Sequence, residues 1–287
     1  MKYNNSVLVG AVIIAFNPEL CRLQENIKAI IEQVDEIVIV DNASESLLEI
    51  EKVIKNIENV SLLKLDHNYG IAKALNEGLS YLQKKQYEWV LTLDQDSVCP
   101  SGLINTMLNH IEDPKYGVLC PKILYEGWES WKNDTEGKLE EVKACMTSGS
   151  LTRVSAWKGV NGFSEDYFID FVDNDFCEKL KIAGYKIIRD NNVILKHQLG
   201  DAREKKVFGV TIRYTHHSSW RYYYMIRNNL YFIKKYKSRL NVPKEYVKVL
   251  YLIILGLSFE KDRIEVFRYI KKGFLDALGN RMGELKR

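Results

Sequence analysis

The sequence predicts an α/β protein: a mainly parallel sheet wound with helices on both faces, followed by a helical extension. Three observations carry this. From Val7 to Asp94, apolar runs short enough for buried strands alternate with segments of helical period. Each run ends abruptly in a polar cluster, the pattern of strands buried on both faces. The charge also divides. From Arg203 to Arg287 there are 20 Lys/Arg against 7 Asp/Glu, a net of +13, whereas the preceding residues carry 21 against 31, a net of −10. Residues 1–202 are therefore expected to form one α/β domain and residues 203–287 a basic helical region.

Val7 to Ala15 reads as the first strand, closed by Phe16-Asn17-Pro18, with Pro18 suited to start a helix because it lacks an N–H. This apolar stretch has no basic leader or small-residue cleavage site, so it is not read as a signal peptide. Leu20, Leu23, Ile27, Ile30 and Ile31 give a first helix, and Glu36 to Val40 a second strand that ends in Asp41-Asn42-Ala43-Ser44. A helix over 47–57, a strand over 60–65 and a helix over 71–82 follow, with the loop Asp66 to Gly70 between the last two. Trp89 to Leu93 is the next buried strand and breaks into Asp94-Gln95-Asp96. Ligands of such sheets bind beyond the carboxyl ends of the strands, where Asn17, Asp41, Asn68, Asp94 and Asp96 all fall.

Two carboxylates one residue apart repel unless a cation lies between them, and a hard divalent ion such as Mg²⁺ or Mn²⁺ suits all-oxygen ligands and a substrate phosphate. Taken alone, the pair also reads as a strand-ending turn with two solvated acids; Asp41-Asn42 and Asn68-Tyr69-Gly70 likewise read alone as turns, with Gly70 supplying a positive φ. The joint placement of these residues after successive strands points to a site. No G-x-G-x-x-G follows the first strand and no P-loop occurs, which argues against a dinucleotide enzyme or a P-loop NTPase. Five scattered cysteines without a CxxC pair suggest a reduced, cytoplasmic protein with no disulfide frame or zinc site.

Further on, a strand is expected over 115–123, then a polar, Trp-containing loop over 125–141 that can cover an acceptor. Cys145 to Ser150, including Ser148 and Gly149, leads into a short strand over 151–154. Asp170, Asp173 and Asp175 gather around the start of a helix running to Ala183. There the helix dipole favours an ionised carboxylate, and Asp is equally suited to cap the helix. His197 closes the apolar run Val193 to Leu195. Arg221 and Arg227 lie on a helix starting at Trp220 and have the reach to hold phosphates. Val249 to Leu257 is too short to span a bilayer, and with Lys234, Lys235, Lys237, Arg239, Lys271 and Lys272 around it reads as an interfacial helix or a hairpin buried in a homodimer.

Taken together, Phe16-Asn17-Pro18, Asp41-Asn42-Ala43-Ser44, Asn68-Tyr69-Gly70-Ile71-Ala72 with Asn76-Glu77-Gly78, Asp94-Gln95-Asp96-Ser97, Gly149-Ser150, Gly162-Phe163 and Lys196-His197-Gln198-Leu199-Gly200 resemble the inverting family-2 glycosyltransferases of GT-A fold, most of all their bacterial rhamnosyltransferase branch. The resemblance runs to about Lys235. It implies that Asp41 holds the pyrimidine base of a nucleotide sugar, that Asn68 and Gly70 lie along the ribose and diphosphate with Asn17 nearby, and that Asp94 lies near the ribose. It further implies that Asp96 binds the metal, with His197 as a further metal ligand or phosphate contact, and that Asp173 is the base. Ser148, Gly149, Asp170 and Asp175 are placed on the acceptor side. Where many members carry Glu-Asp before the catalytic helix, this chain has Val172-Asp173, which leaves Asp170 and Asp175 as competitors for the role of base. The implied reaction is metal-dependent transfer of a sugar, L-rhamnose from dTDP-L-rhamnose, to a lipid-linked or polysaccharide acceptor in cell-surface polysaccharide synthesis. The basic end would bring the protein to the anionic inner face of the cell membrane. The competing reading is a non-catalytic domain whose basic end binds nucleic acid; it leaves the strand-end acids unexplained, so no nucleic-acid partner is expected.

Overall fold

A computed structural model describes residues 7–125, 137–197, 201–207 and 210–286. Most of the expected acceptor loop (126–136) and Gln198-Leu199-Gly200 lie outside the described residues. The chain divides into two compact units, Met1–Glu165 with Val172–His197, and Asp166–Phe171 with Gln198–Arg287.

The first unit opens with β1 (Val9–Ala15), buried along its whole length. After Pro18, α1 (Leu20–Ile30) turns Leu23, Ile27 and Ile30 onto the sheet. The alternation continues through β2 (Glu36–Asp41), α2 (Leu47–Ile54), β3 (Val60–Lys64), α3 (Ile71–Lys84) and β4 (Trp89–Asp94). The short α4 (Leu103–Leu108) leads to β5 (Tyr116–Tyr125), β6 (Leu139–Glu141), β7 (Ser150–Arg153), α5 (Val154–Gly159), α6 (Val172–Ile182) and β8 (Lys186–His197). The eight strands form one sheet in the order β3-β2-β1-β4-β7-β5-β8-β6. It is mixed and mainly parallel: β7 runs antiparallel to β4 and β5, and β6 antiparallel to β8.

The register sets up the site. Ala15 lies opposite Asp41 and Ile14 opposite Asp94, so β1, β2 and β4 end at nearly one level, with Asp41 and Asp94 on either side of β1 and one residue apart in register. At the other end of the sheet Tyr125 lies opposite His197. Beneath this edge, Ile13, Ile39, Leu91 and Leu93 join Leu23 and Ile27 in a fully buried core.

α3 lies close on β1. A Cβ at Gly78 would come within 2.5 Å of a Val12 methyl. Val12 is fully buried and β-branched, so it cannot swing aside. Gly78→Ala gains up to about 1 kcal/mol of helix propensity but costs about 1–3 kcal/mol in overpacking. The expected result is a lower denaturation midpoint; an unchanged or raised midpoint in a urea titration would show that α3 can back away.

The second unit contains the hairpin β9 (Asp201–Val207) and β10 (Val210–His216), then α7 (Ser219–Lys235), α8 (Val242–Phe259) and α9 (Arg263–Leu278). Its core is built from Tyr222, Ile226, Ile233, Val249, Val266 and Ile270. Among the described residues, no helix is long and apolar enough to cross a membrane.

Candidate active site

The candidate site begins with Asp41, the last residue of β2 and 1% exposed. One carboxylate oxygen accepts from the Ser44 amide at 3.1 Å. The other, Oδ1, is buried and has no hydrogen-bond partner among the described residues. A buried charged acceptor left unmet is costly, so the position fits a ligand N–H, such as that of a pyrimidine base.

Neighbouring loops are tied to this one by amides. Asn42, also buried, donates to Asn68 Oδ1 at 2.9 Å and to the Gly70 carbonyl at 3.3 Å, while its own Oδ1 accepts from the Tyr69 amide at 3.0 Å. Asn68 Oδ1 accepts in addition from the Gly70 amide, and Gly70 holds φ 83° at the start of α3. Asn17, at φ 46°, takes the Ser44 hydroxyl through its amide and the Glu45 amide through its side chain, both at 2.8 Å. Asn17 and Asp41 are thus joined through Ser44, and Asn68 and Gly70 through Asn42, the residue that follows Asp41.

The turn after β4 is held from both sides. On α1, Asn26 donates to the Asp94 carbonyl at 2.8 Å and Arg22, one turn earlier, to the Asp96 carbonyl at 2.9 Å. The Asp94 amide donates to Ser148 Oγ at 3.0 Å, and Ser148 in turn donates to Ser97 Oγ at 2.7 Å. Gln95 accepts from the Phe16 amide at 2.8 Å. Gly149, at φ 80°, donates to the Thr92 carbonyl and has no room for a side chain, since a Cβ there would lie 2.5 Å from Leu195. Ser148 and Gly149 therefore lie directly behind the acids, with Ser148 also facing the neighbouring cavity.

Asp96 itself is exposed. Its charge acts on His197, whose pKa burial nonetheless holds below the ordinary imidazole value, so the ring is neutral at pH 7 and has a lone pair to offer. Among the described residues, no three His, Cys, Asp or Glu side chains converge to enclose an ion. Asp96 and His197 still fit a divalent ion of the type that completes its shell with water and substrate phosphates, since such ions are commonly held by only one or two protein groups.

A cavity of about 440 Å³ opens beside this edge, lined by Tyr125, Val142, Met146, Ser148, Asp173 and Arg189 among others. Asp173 lies in the first turn of α6, half-buried, and accepts from the Asn174 amide at 2.8 Å. Tyr125 has its pKa raised by burial first and by the Asp173 charge second, so its phenol stays protonated beside that carboxylate. Close behind, the Cys145 thiol is pushed well above its ordinary range by hydrogen bonding to Cys120 and by burial, and the Cys177 thiol by hydrogen bonding to Cys145 and by burial; both are protonated and poor nucleophiles. All five cysteines are free.

Burial distinguishes the acids around α6. Asp175 has no exposed surface and accepts from the Ser164 hydroxyl. Asp170 belongs to the second unit, at φ 63°, and is paired with Arg221 at 3.0 Å. Arg227 is also fully buried within that unit, donating to the Gly283 carbonyl at 2.7 Å and the Tyr223 hydroxyl at 3.1 Å while its guanidinium lies against the Tyr223 and Tyr224 rings. Its Nη2 has no hydrogen-bond partner among the described residues, yet it too is buried, so an anion would have to enter the packed interior to reach it. Sequence reasoning overlooked Arg22 and Asn26, and quoted Ser97 only as part of a motif. The legible signal was the i, i+4 spacing of Arg22 and Asn26 on α1, which puts Asn26 in line with Arg22 and beside the buried Leu23, Ile27 and Ile30.

The mixed, mainly parallel sheet has the architecture of the GT-A glycosyltransferases, and the chain belongs to glycosyl transferase family 2, whose match covers residues 11–164. It is 28% identical over 286 residues to the dTDP-rhamnosyl transferase RfbF of Shigella flexneri, covering 94% of each chain. An uncharacterized glycosyltransferase of Haemophilus influenzae is 37% identical over 111 residues, 37% of this chain and 40% of that one. The fold is shared with a crystal structure of GalNAc-T7 with UDP, GalNAc and Mn²⁺ (TM-score 0.64, 14% identity, 97% of this chain and 57% of that one). It is shared too with the mannosyltransferase PcManGT of Pyrobaculum calidifontis in complex with GDP-Man and Mn²⁺ (TM-score 0.58, 15% identity, 95% and 74%).

Proposed function

We propose that this glycosyltransferase moves L-rhamnose from dTDP-L-rhamnose, with inversion, onto a hydroxyl of a lipid-linked or polysaccharide acceptor in cell-surface polysaccharide synthesis, at the inner face of the cell membrane. The observation that carries the donor assignment is the similarity to a dTDP-rhamnosyl transferase over 94% of both chains.

In this reading the unpartnered Asp41 oxygen accepts the base N–H, and Asn68 and Gly70 border the ribose and diphosphate. Asp173 takes the proton of the acceptor hydroxyl as its oxygen attacks the anomeric carbon. The sugar–phosphate bond breaks on the opposite face, and the electron pair leaves with the nucleoside diphosphate. Asp96 and His197 would hold Mg²⁺ or Mn²⁺, which when bound stabilises the charge growing on the diphosphate. Tyr125, protonated, donates within the same cavity and helps to orient the acceptor. Purified protein with Mg²⁺ or Mn²⁺ and a panel of nucleotide sugars is expected to release nucleoside diphosphate fastest from dTDP-L-rhamnose. Faster release from a UDP- or GDP-sugar would replace the donor.

Asp41→Ala is expected to weaken dTDP binding roughly 10–100-fold, the worth of a hydrogen bond to a charged group, and to do so equally with and without metal. Calorimetry reads this directly. An unchanged dissociation constant would reduce Asp41 to a turn residue.

A further inference from the structure

The second unit bears an apolar face that its own fold leaves uncovered. On α8, Tyr246, Leu250 and Ile254 recur every fourth residue; on α9, Ile264, Phe267 and Leu278 point outward as well. All six are between 51% and 74% exposed. The inward side of each helix is taken by other residues, Val249 on α8 and Val266 and Ile270 on α9. Monomeric surfaces rarely gather so many large apolar side chains together.

A groove of about 710 Å³ opens among α7, α8 and α9, and Tyr246, Phe274 and Leu278 line it. Tyr246 and Leu278 thus belong to groove and stripe alike, which puts the two stripes on one side of the unit. Lys234 and Lys237 line the same groove. Of the acids on these helices, Glu260 is buried and accepts from the Tyr222 hydroxyl, Asp276 accepts from Tyr223 and Arg281, and Glu245 is paired with Lys248, whereas Asp262 and Glu265 at the start of α9 are exposed. Cations beside an open apolar surface complement a layer whose phosphates overlie hydrocarbon.

We propose that this face docks on an anionic bilayer, the stripe entering the headgroup–acyl boundary and the groove taking one chain of a phosphate-headed lipid, with Lys234 and Lys237 on its phosphate. This deepens the membrane location proposed above and is independent of the transfer chemistry, so either can fail alone.

The test is sedimentation of the full chain with phosphatidylcholine vesicles, with or without phosphatidylglycerol. Binding is expected only with the anionic lipid, falling between about 0.1 M and 1 M salt as the Debye length shrinks from ~10 to ~3 Å. Leu250→Asp with Phe267→Asp, and separately Lys234→Glu with Lys237→Glu, should each lower partitioning about tenfold or more. All these residues are at the surface, so dTDP binding and the unfolding midpoint should be unchanged, which separates lost docking from lost folding. Variants that partition like the wild type would overturn the proposal, as would a wild type that stays in the supernatant at low salt. A wild-type dimer dispersed by Leu250→Asp, with no vesicle binding, would make the face an interface between copies of this chain.

Discussion

Asp173→Asn is expected to lower the rate of sugar transfer by about 10²–10⁴, the usual worth of a general base, while donor binding is retained. The amide keeps the size of the carboxylate and can still accept from Asn174, so the loss reports the missing proton acceptor. Asp175→Asn is the informative control. Asp175 has no exposed surface and is bonded to Ser164, so its substitution should register in the denaturation midpoint before it registers in the rate. Asp170→Asn breaks the pair with Arg221 and belongs to the same class. Steady-state kinetics with saturating donor, together with calorimetry, separates these outcomes. A rate loss that follows Asp175 and spares Asp173 would move the base two residues along.

Asp96→Ala is expected to lower turnover by at least about 10²–10³, the scale seen when one group stabilising transition-state charge is removed. It should also abolish the part of dTDP binding that depends on Mg²⁺ or Mn²⁺. Because the Asp96 main chain is held by Arg22, the turn should keep its shape without the carboxylate. Calorimetry with dTDP, with and without Mn²⁺, reads the second effect apart from the first. If Asp96→Ala keeps both the rate and the metal dependence of binding, the metal role of this side chain is wrong.

The parallel half of the sheet was legible because its strands are buried on both faces and therefore appear as apolar runs that stop at polar ends. Val9–Ala15 and Trp89–Asp94 illustrate this. The other half was read less fully. β8 spans twelve residues, yet Arg189 to Asn192 interrupt its apolar character, and only Val193 to Leu195 stood out. The β9–β10 hairpin carries no apolar run, and Asp201–Val207 is dominated by charges that pair across or along its strands, as Arg213 does with Glu204. α5 was overlooked because Val154, taken as the end of a strand, starts a short helix instead.

Residue type alone left three acids near α6 equivalent. What separates them is burial and pairing, which depend on Ser164 and Arg221, residues distant in sequence. The two arginines were legible as cations on a helix, but their partners were not: Asp170 for Arg221, and Gly283 with Tyr223 for Arg227. Strand-end position, by contrast, is a local property, and it brought Asn17, Asp41, Asn68, Asp94 and Asp96 into view from the sequence.

The unmet oxygen of Asp41 bears on how this protein would respond to engineering. Leaving such a group buried without a partner costs about 1–3 kcal/mol, so a residue that still accepts from the Ser44 amide but carries no second, unmet oxygen suits the folded chain better than the aspartate does. A library selected only for heat resistance would therefore be drawn toward losing Asp41, and its most robust members would be those least able to hold a nucleotide. Selection in the presence of ligand would reverse that pressure.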